Sequence, residues 1–220
     1  PMTYHIILFD FDGTLADSAQ CSILATQAAF AAQHLPVPDA AAIVHSMGIP
    51  IETAFRSLGA AALSDAAYAA LLADFRRYYG DYTADHIRLF PGIPALLATL
   101  KAQHKTLAIV SSKRIARLRD NSARLGIDGY IDACIGPDQV THYKPHPDSV
   151  RVALAALGYH GAPEAVITVG DATGDIRMGQ AAGIRTCAVT WGAHGAAALR
   201  AAAPDYLADS VAALQRILSA

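Results

Sequence analysis

Short apolar runs rich in β-branched residues alternate along most of this chain with segments of helical spacing, and this alternation restricts the fold most. The runs occupy residues 6–9, 107–111, 133–135, 166–169 and 186–190. Helical spacing covers 93–103, 115–125, 147–157 and 175–182. Runs this uniformly apolar belong in a sheet buried on both faces, and the helices between them supply the crossovers of parallel strands. Gly126, Gly158 and Gly183 follow helical segments, as C-terminal caps do. The predicted fold class is α/β: a Rossmann-like parallel sheet core with helices on both faces.

Residues 16–86 break the rhythm. The stretch holds no convincing strand, is rich in alanine, and reads as helices over 18–33, 39–46, 51–58 and 64–82. "HLPVPD" and "MGIPIE" punctuate it. Phe30, Phe55, Phe75, Tyr78 and Tyr79 supply anchors that a low-complexity tract lacks. The expected organisation is a core of residues 1–15 and 87–220, interrupted by an inserted α-helical cap domain of residues 16–86.

Composition removes several function classes. The net charge is −2, from 17 basic and 19 acidic residues, with no basic block of the kind that binds nucleic acid. Cys21, Cys134 and Cys187 are widely spread and odd in number, and read as small buried hydrophobes in a reducing compartment. The apolar start at 6–9 is too short for a signal segment, and no stretch approaches the roughly 20 apolar residues of a membrane span. Pro1 ahead of Met2 reads as an addition to a natural start. The expectation is a soluble cytoplasmic protein, monomer or homodimer, engaging neither nucleic acid nor membrane.

Ligands of an open parallel sheet sit beyond the carboxyl ends of its strands. After the first run comes Asp10-Phe11-Asp12-Gly13-Thr14, and after the second come Ser111, Ser112 and Lys113. Lys144 lies in "YKPHPD" beyond the third run, and "GDATGD", with Asp171 and Asp175, follows the fourth. Alone, "DGT" is a turn and "GDATGD" a capped helix start. Their convergence on one sheet edge is what suggests a site. Four carboxylates there repel one another and need a cation; such oxygen-rich sites suit Mg²⁺ with waters and a substrate phosphate. Lys144 and Ser111 are natural phosphate holders. Gly13, Thr14, Ser112 and Lys113 surround a candidate anion nest of backbone N–H groups. The set suggests phosphoryl transfer in which one carboxylate attacks phosphorus and the other moves the proton. Asp10 is expected to be ionised and Asp12, turned from the metal, to hold a proton.

These motifs resemble the haloacid dehalogenase superfamily, in its phosphoglycolate-phosphatase-like branch with a helical cap. "DFDGTLADS", "VSSK", "KPHPD" and "VGDATGDIRMGQAAG" follow the family's order and spacing. "LFPGIPALLATLK" resembles the return from cap to core, and "TWG" and "PDYLADSVAAL" the branch's C-terminal pattern. The resemblance implies that Asp10 is the nucleophile. It implies that Asp12 is the general acid/base and, through its carbonyl, a metal ligand. Ser111 and Lys144 match the phosphate holders, and in the family this lysine also steadies the nucleophile. Asp171 matches the Mg²⁺ carboxylate, and Asp175 a residue that binds or orients the metal's waters. Ser112 replaces a common Asn, and Ala172 a common small hydroxyl residue.

Within the superfamily, Asp12 argues for phosphate esters over haloacids, whose leaving group needs no proton. The four lysines are Lys101, Lys105, Lys113 and Lys144; none lies in 16–86, so a cap Schiff base has no amine. The expected function is Mg²⁺-dependent hydrolysis of a small, phosphoglycolate-like phosphorylated metabolite through an aspartyl-phosphate. Alternatives are a sugar phosphomutase, a pyrophosphatase, a nucleotidase or a non-enzymatic binding module. In the cap, Arg56 follows a Gly/Pro loop and is a candidate for a substrate carboxylate or second phosphate, against a plain surface arginine. Arg76 and Arg77 are adjacent and cannot share a helix face, and Met47, Ile49 and Ile51 are candidates for an apolar lid. The histidines show no metal spacing, and His146 has no assigned role.

Overall fold

The structure is a computed structural model that describes residues 4–219; Pro1 and Met2 lie outside them. The chain begins with β1 (Ile6–Phe9), the short β2 (Ala16–Asp17), α1 (Ala19–Ala32), α2 (Ala40–Ser46), α3 (Ile51–Phe55) and α4 (Asp65–His86). It returns through β3 (Arg88–Leu89), α5 (Ile93–Ala102), β4 (Thr106–Val110), α6 (Ile115–Arg124), β5 (Ala133–Ile135) and α7 (Asp148–Ala156). It ends with β6 (Val166–Gly170), α8 (Thr173–Ala181), β7 (Arg185–Val189), α9 (Ala196–Ala201), β8 (Tyr206–Ala208) and α10 (Val211–Leu218).

Six strands form one parallel sheet in the order β5-β4-β1-β6-β7-β8. The chain builds outward from β1 to β5, returns to the other side of β1, and builds outward again through β8. This reversal opens a crevice at the carboxyl ends of β1, β4 and β6. Strand side chains alternate between two buried faces. Ile7, Phe9, Ile109 and Val169 join α5, α6 and α10 on one side. Ile6, Leu8, Val110 and Val166 join α7 and α8 on the other. The sequence reading places β4 and β7 one residue late, and omits α9, α10 and β8. The three residues of β8 are too few to show a period.

Residues between β2 and β3 form the helical insert. α1 lies along α4, and a ladder of aromatic rings, edge-to-face in its first two steps and tilted in its third, packs between the helices. Phe30 and Phe55 have centroids 5.4 Å apart, Phe55 and Phe75 5.1 Å, and Phe75 and Tyr79 5.5 Å. Asp39 caps α2 by accepting from Ala42 N–H, and Ser64 caps α4 by accepting from Ala67 N–H. Two departures from the sequence reading occur. The helix expected over 51–58 breaks after Phe55 into a wide turn, with Gly59 at φ +113°. Ala16 and Asp17, expected to start the helical region, instead pair antiparallel with Leu89 and Arg88. Cys21 and Cys187 are buried and Cys134 half-buried, all as free thiols. Burial pushes the Cys187 thiol up to about 12 and that of Cys21 up to about 11. Among the described residues no single helix is long and apolar enough to cross a membrane.

Leu8 is fully buried in the central strand. Leu8→Ala is expected to lower the unfolding free energy by about 2–5 kcal/mol, seen as a lower urea midpoint at unchanged slope.

Candidate active site

Asp10 leaves the end of β1, Ser111 the end of β4 and Asp171 the end of β6, while Lys144 arrives from the loop between β5 and α7. Lys144 Nζ lies 2.6 Å from Asp175 Oδ1 and 3.2 Å from Asp10 Oδ1, and donates to the Val110 carbonyl at 2.8 Å. Asp10, Asp171 and Asp175 are all buried and offer oxygens within 4.8 Å of one another. One ammonium faces three carboxyl groups, too few counter-charges for all three to ionise. Burial lifts the Asp10 carboxyl well above its ordinary range; Lys144 opposes this, and Asp175, Asp171 and Asp12 add to it. Burial and Asp175 push Asp171 up to about 7. Burial alone would lower the Lys144 ammonium, but Asp10 and Asp175 raise it above its ordinary value. Buried oxygen donors with an excess of negative charge are a fitting set for a hard divalent cation.

Each carboxylate is aimed by its surroundings. The Thr14 hydroxyl donates to Asp171 Oδ1 at 2.8 Å, and Ala193 N–H to Oδ2 at 2.7 Å. Ala172 N–H donates to Asp175 Oδ2 at 3.0 Å. Phe11 N–H donates to Asp10 Oδ1 at 2.7 Å, so Oδ1 is committed and Oδ2 accepts nothing from the described residues. Gly13 (φ +81°) and Gly192 leave room for Asp171: a Cβ on either would sit 2.2 Å from its Oδ2.

Asp12 lies on the other side of the crevice. Its Oδ1 accepts from Ser18 Oγ at 2.5 Å and from Lys113 Nζ at 2.7 Å. Lys113 also donates to the Tyr79 hydroxyl, on α4, at 2.6 Å. Burial, and then Asp12, hold the Tyr79 phenol well above its ordinary range. The insert meets the core at further points, two of them close to the crevice. Ser112 Oγ donates to the Gly48 carbonyl at 2.6 Å, and the His45 and His194 rings stack 5.3 Å apart. Between core and insert lies a cavity of about 430 Å³. Asp10, Asp12 and Ser111 line it from the core, and Met47, Ile49, Ile51 and Phe75 give it an apolar wall.

The fold thus gathers Asp10, Asp12, Ser111, Lys144, Asp171 and Asp175, and the expected apolar lid lines the cavity. Other expectations need correction. Arg56 is not at the cavity. It stacks 3.6 Å from the Tyr68 ring centroid and donates to the carbonyls of Ala60 and Leu63, closing the turn after α3. Thr14 is fully buried and its hydroxyl serves Asp171, not a phosphate. Gly13 N–H is spent on the Ala16 carbonyl, so it adds nothing to an anion nest. The Asp12 and Ser112 N–H groups have no acceptor among the described residues. Ser112 Oγ is spent on the insert, and Lys113 on Asp12 and Tyr79. Tyr79, expected only as an anchor, reaches the site, and no local pattern signals this. His142 and His146 present Nδ1 atoms 2.8 and 3.0 Å from Asp148, a cluster that linear spacing conceals.

A doubly wound sheet with acids at its central strand ends and a helical insert over them defines a class of hydrolase. The chain belongs to the haloacid dehalogenase-like hydrolases, whose family model matches residues 7–189. It is 33% identical over 207 residues to Probable phosphatase IndB of Dickeya dadantii, covering 93% of this chain and 89% of that protein. It is 29% identical over 210 residues to Pyrophosphatase PpaX of Oceanobacillus iheyensis, covering 96% and 94%. The crystal structure of a predicted phosphoglycolate phosphatase from Haemophilus somnus superposes with a TM-score of 0.88 at 25% identity, covering 99% of each chain.

Lys144 is the one cation inside the buried carboxylate cluster. Lys144→Met is expected to cost about 3–5 kcal/mol in chemical denaturation with chelator present. Adding Asp10→Asn to that variant should recover part of the loss, since it removes one of the charges left unpaired.

Proposed function

We propose that this protein is a Mg²⁺-dependent phosphatase of small phosphorylated metabolites that works through an aspartyl-phosphate on Asp10. The observation that carries this reading is the buried trio Asp10, Asp171 and Asp175, with Lys144 as its one ammonium among the described residues, and with Asp10 lining the cavity beside Asp12. Asp10, Asp171 and Asp175, with the Asp12 carbonyl, would hold Mg²⁺. When bound, the ion would neutralise the cluster and draw the substrate phosphate to it.

Asp10 Oδ2, free of protein partners, forms the bond to phosphorus while Oδ1 stays fixed by Phe11 N–H and Lys144. Ser111 Oγ accepts from Lys113 N–H at 3.1 Å, which leaves its own proton for a phosphate oxygen. Asp12 gives its proton to the leaving oxygen as the ester P–O bond breaks. Lys113 then stabilises the carboxylate that remains, which is the arrangement described above. Water next attacks phosphorus and returns a proton to Asp12. The Asp10–phosphorus bond breaks, and phosphate leaves. Residues 16–86 serve as a lobe that closes over these steps and excludes bulk water.

Hydrolysis of p-nitrophenyl phosphate is expected to stop on chelation, to return with Mg²⁺, and to be lost in Asp10→Asn; activity surviving that substitution would remove Asp10 as the nucleophile. Asp12→Asn should lower kcat on an alkyl phosphate by about 10²–10⁴-fold and far less on p-nitrophenyl phosphate, whose leaving group needs no proton. Equal losses on both substrates would remove Asp12 as the acid.

A further inference from the structure

The cavity contains a cation that has no acceptor among the described residues. Arg117, on α6, lines it and lies near Tyr79. Its guanidinium rests against the bare backbone of Gly80 in α4, where a Cβ would sit 3.5 Å from Nη2. No carbonyl or carboxylate among the described residues accepts from it, and Asp120, three residues on and also at the cavity, forms no ion pair with it. The neighbouring cations are all engaged: Arg76 with Glu52 at 2.7 Å, Lys113 with Asp12 at 2.7 Å, and Arg114 with Asp138 at 3.9 Å. The other arginines without partners, Arg88, Arg119, Arg177, Arg200 and Arg216, are exposed, and water supplies their acceptors. Arg117 is half-buried. One turn further along α6, Asn121 is buried with both amide atoms unpaired.

A guanidinium presents five donors in a planar fork that fits a carboxylate or a phosphate, and withholding acceptors from it under partial burial is costly. Arg117 and Asp10 line the same cavity, whose apolar lining comes from Met47, Ile49, Ile51 and Phe75. A volume of about 430 Å³ lies in the range of sites that enclose drug-sized ligands, well beyond the needs of a two-carbon acid. We infer that Arg117 reads a second anionic group on the leaving alcohol. The substrate is then a phosphate monoester whose alcohol carries a carboxylate or a second phosphate at the end of an apolar spacer. This rests on the phosphatase reading above. Arg117 comes from the core and Gly80 from the insert, so this subsite is complete only with the two in contact.

The test uses pentyl phosphate, 5-(phosphonooxy)pentanoate and pentane-1,5-diyl bisphosphate, which share a spacer and differ at its far end. The wild type is expected to favour one or both charged members over pentyl phosphate by about tenfold or more in kcat/KM, and the preferred member identifies the anion. Arg117→Ala should erase that preference and leave pentyl phosphate and p-nitrophenyl phosphate within about twofold, while Arg117→Lys keeps part of it. Equal kcat/KM for charged and neutral members in the wild type overturns the inference and leaves the phosphatase reading intact. An equal loss on all substrates in Arg117→Ala does the same, since it marks a structural role. A wild type inert on p-nitrophenyl phosphate and on the whole panel removes the phosphatase reading itself, and the inference with it.

Discussion

The contact between Lys144 and the carboxylates of Asp10 and Asp175 is the constraint around which the crevice is organised. Three acids delivered by two strand ends, Asp10 after β1 and Asp171 and Asp175 after β6, cannot share a buried space without a counter-charge. Lys144 supplies one, at 2.6 and 3.2 Å, and fixes the loop after β5 to the ends of β1 and β6. The residual acidity is what the proposed divalent cation would neutralise, and through it an anionic ester would be drawn in. The bond that steadies the fold at this edge is therefore also the one that leaves it chemically unfinished.

The rest of the site is arranged around that unfinished charge. Thr14, Ala193, Gly13 and Gly192 serve Asp171 alone, two by donating hydrogen bonds and two by lacking a side chain. On the opposite side, Lys113 joins Asp12 to Tyr79, so the core's second acid is held partly by a group from the insert. Ser112 with Gly48, and His45 with His194, close the same seam.

The sequence made the sheet and its strand-end acids legible because both are local: apolar runs with a fixed period, and short motifs directly after them. Asp10, Asp12, Ser111, Lys144, Asp171 and Asp175 were readable for that reason. Arg56 was misread because its Gly/Pro neighbourhood suggested a loop over the site; the wide turn after α3 needs its guanidinium for carbonyl capping instead. Thr14 was taken for a phosphate ligand because side-chain direction is invisible in a motif, and its hydroxyl turns inward to Asp171. Tyr79 and Arg117 had no signal at all. Each sits on an ordinary helix, and only the packing of α4 against the core brings them to the cavity.

The ribbon of β2 and β3 pairs only Ala16 with Leu89 and Asp17 with Arg88, yet it fastens the outgoing chain to the returning one. Seen from the sheet, everything between them is a closed detour whose two ends are already joined. The crossover from β1 to β4 keeps its register whatever the detour contains. The helical region can thereby change length without moving the carboxylates of Asp10, Asp171 and Asp175, whose partners all lie in the core; Asp12, tied through Lys113 to Tyr79, is the acid that would feel the change.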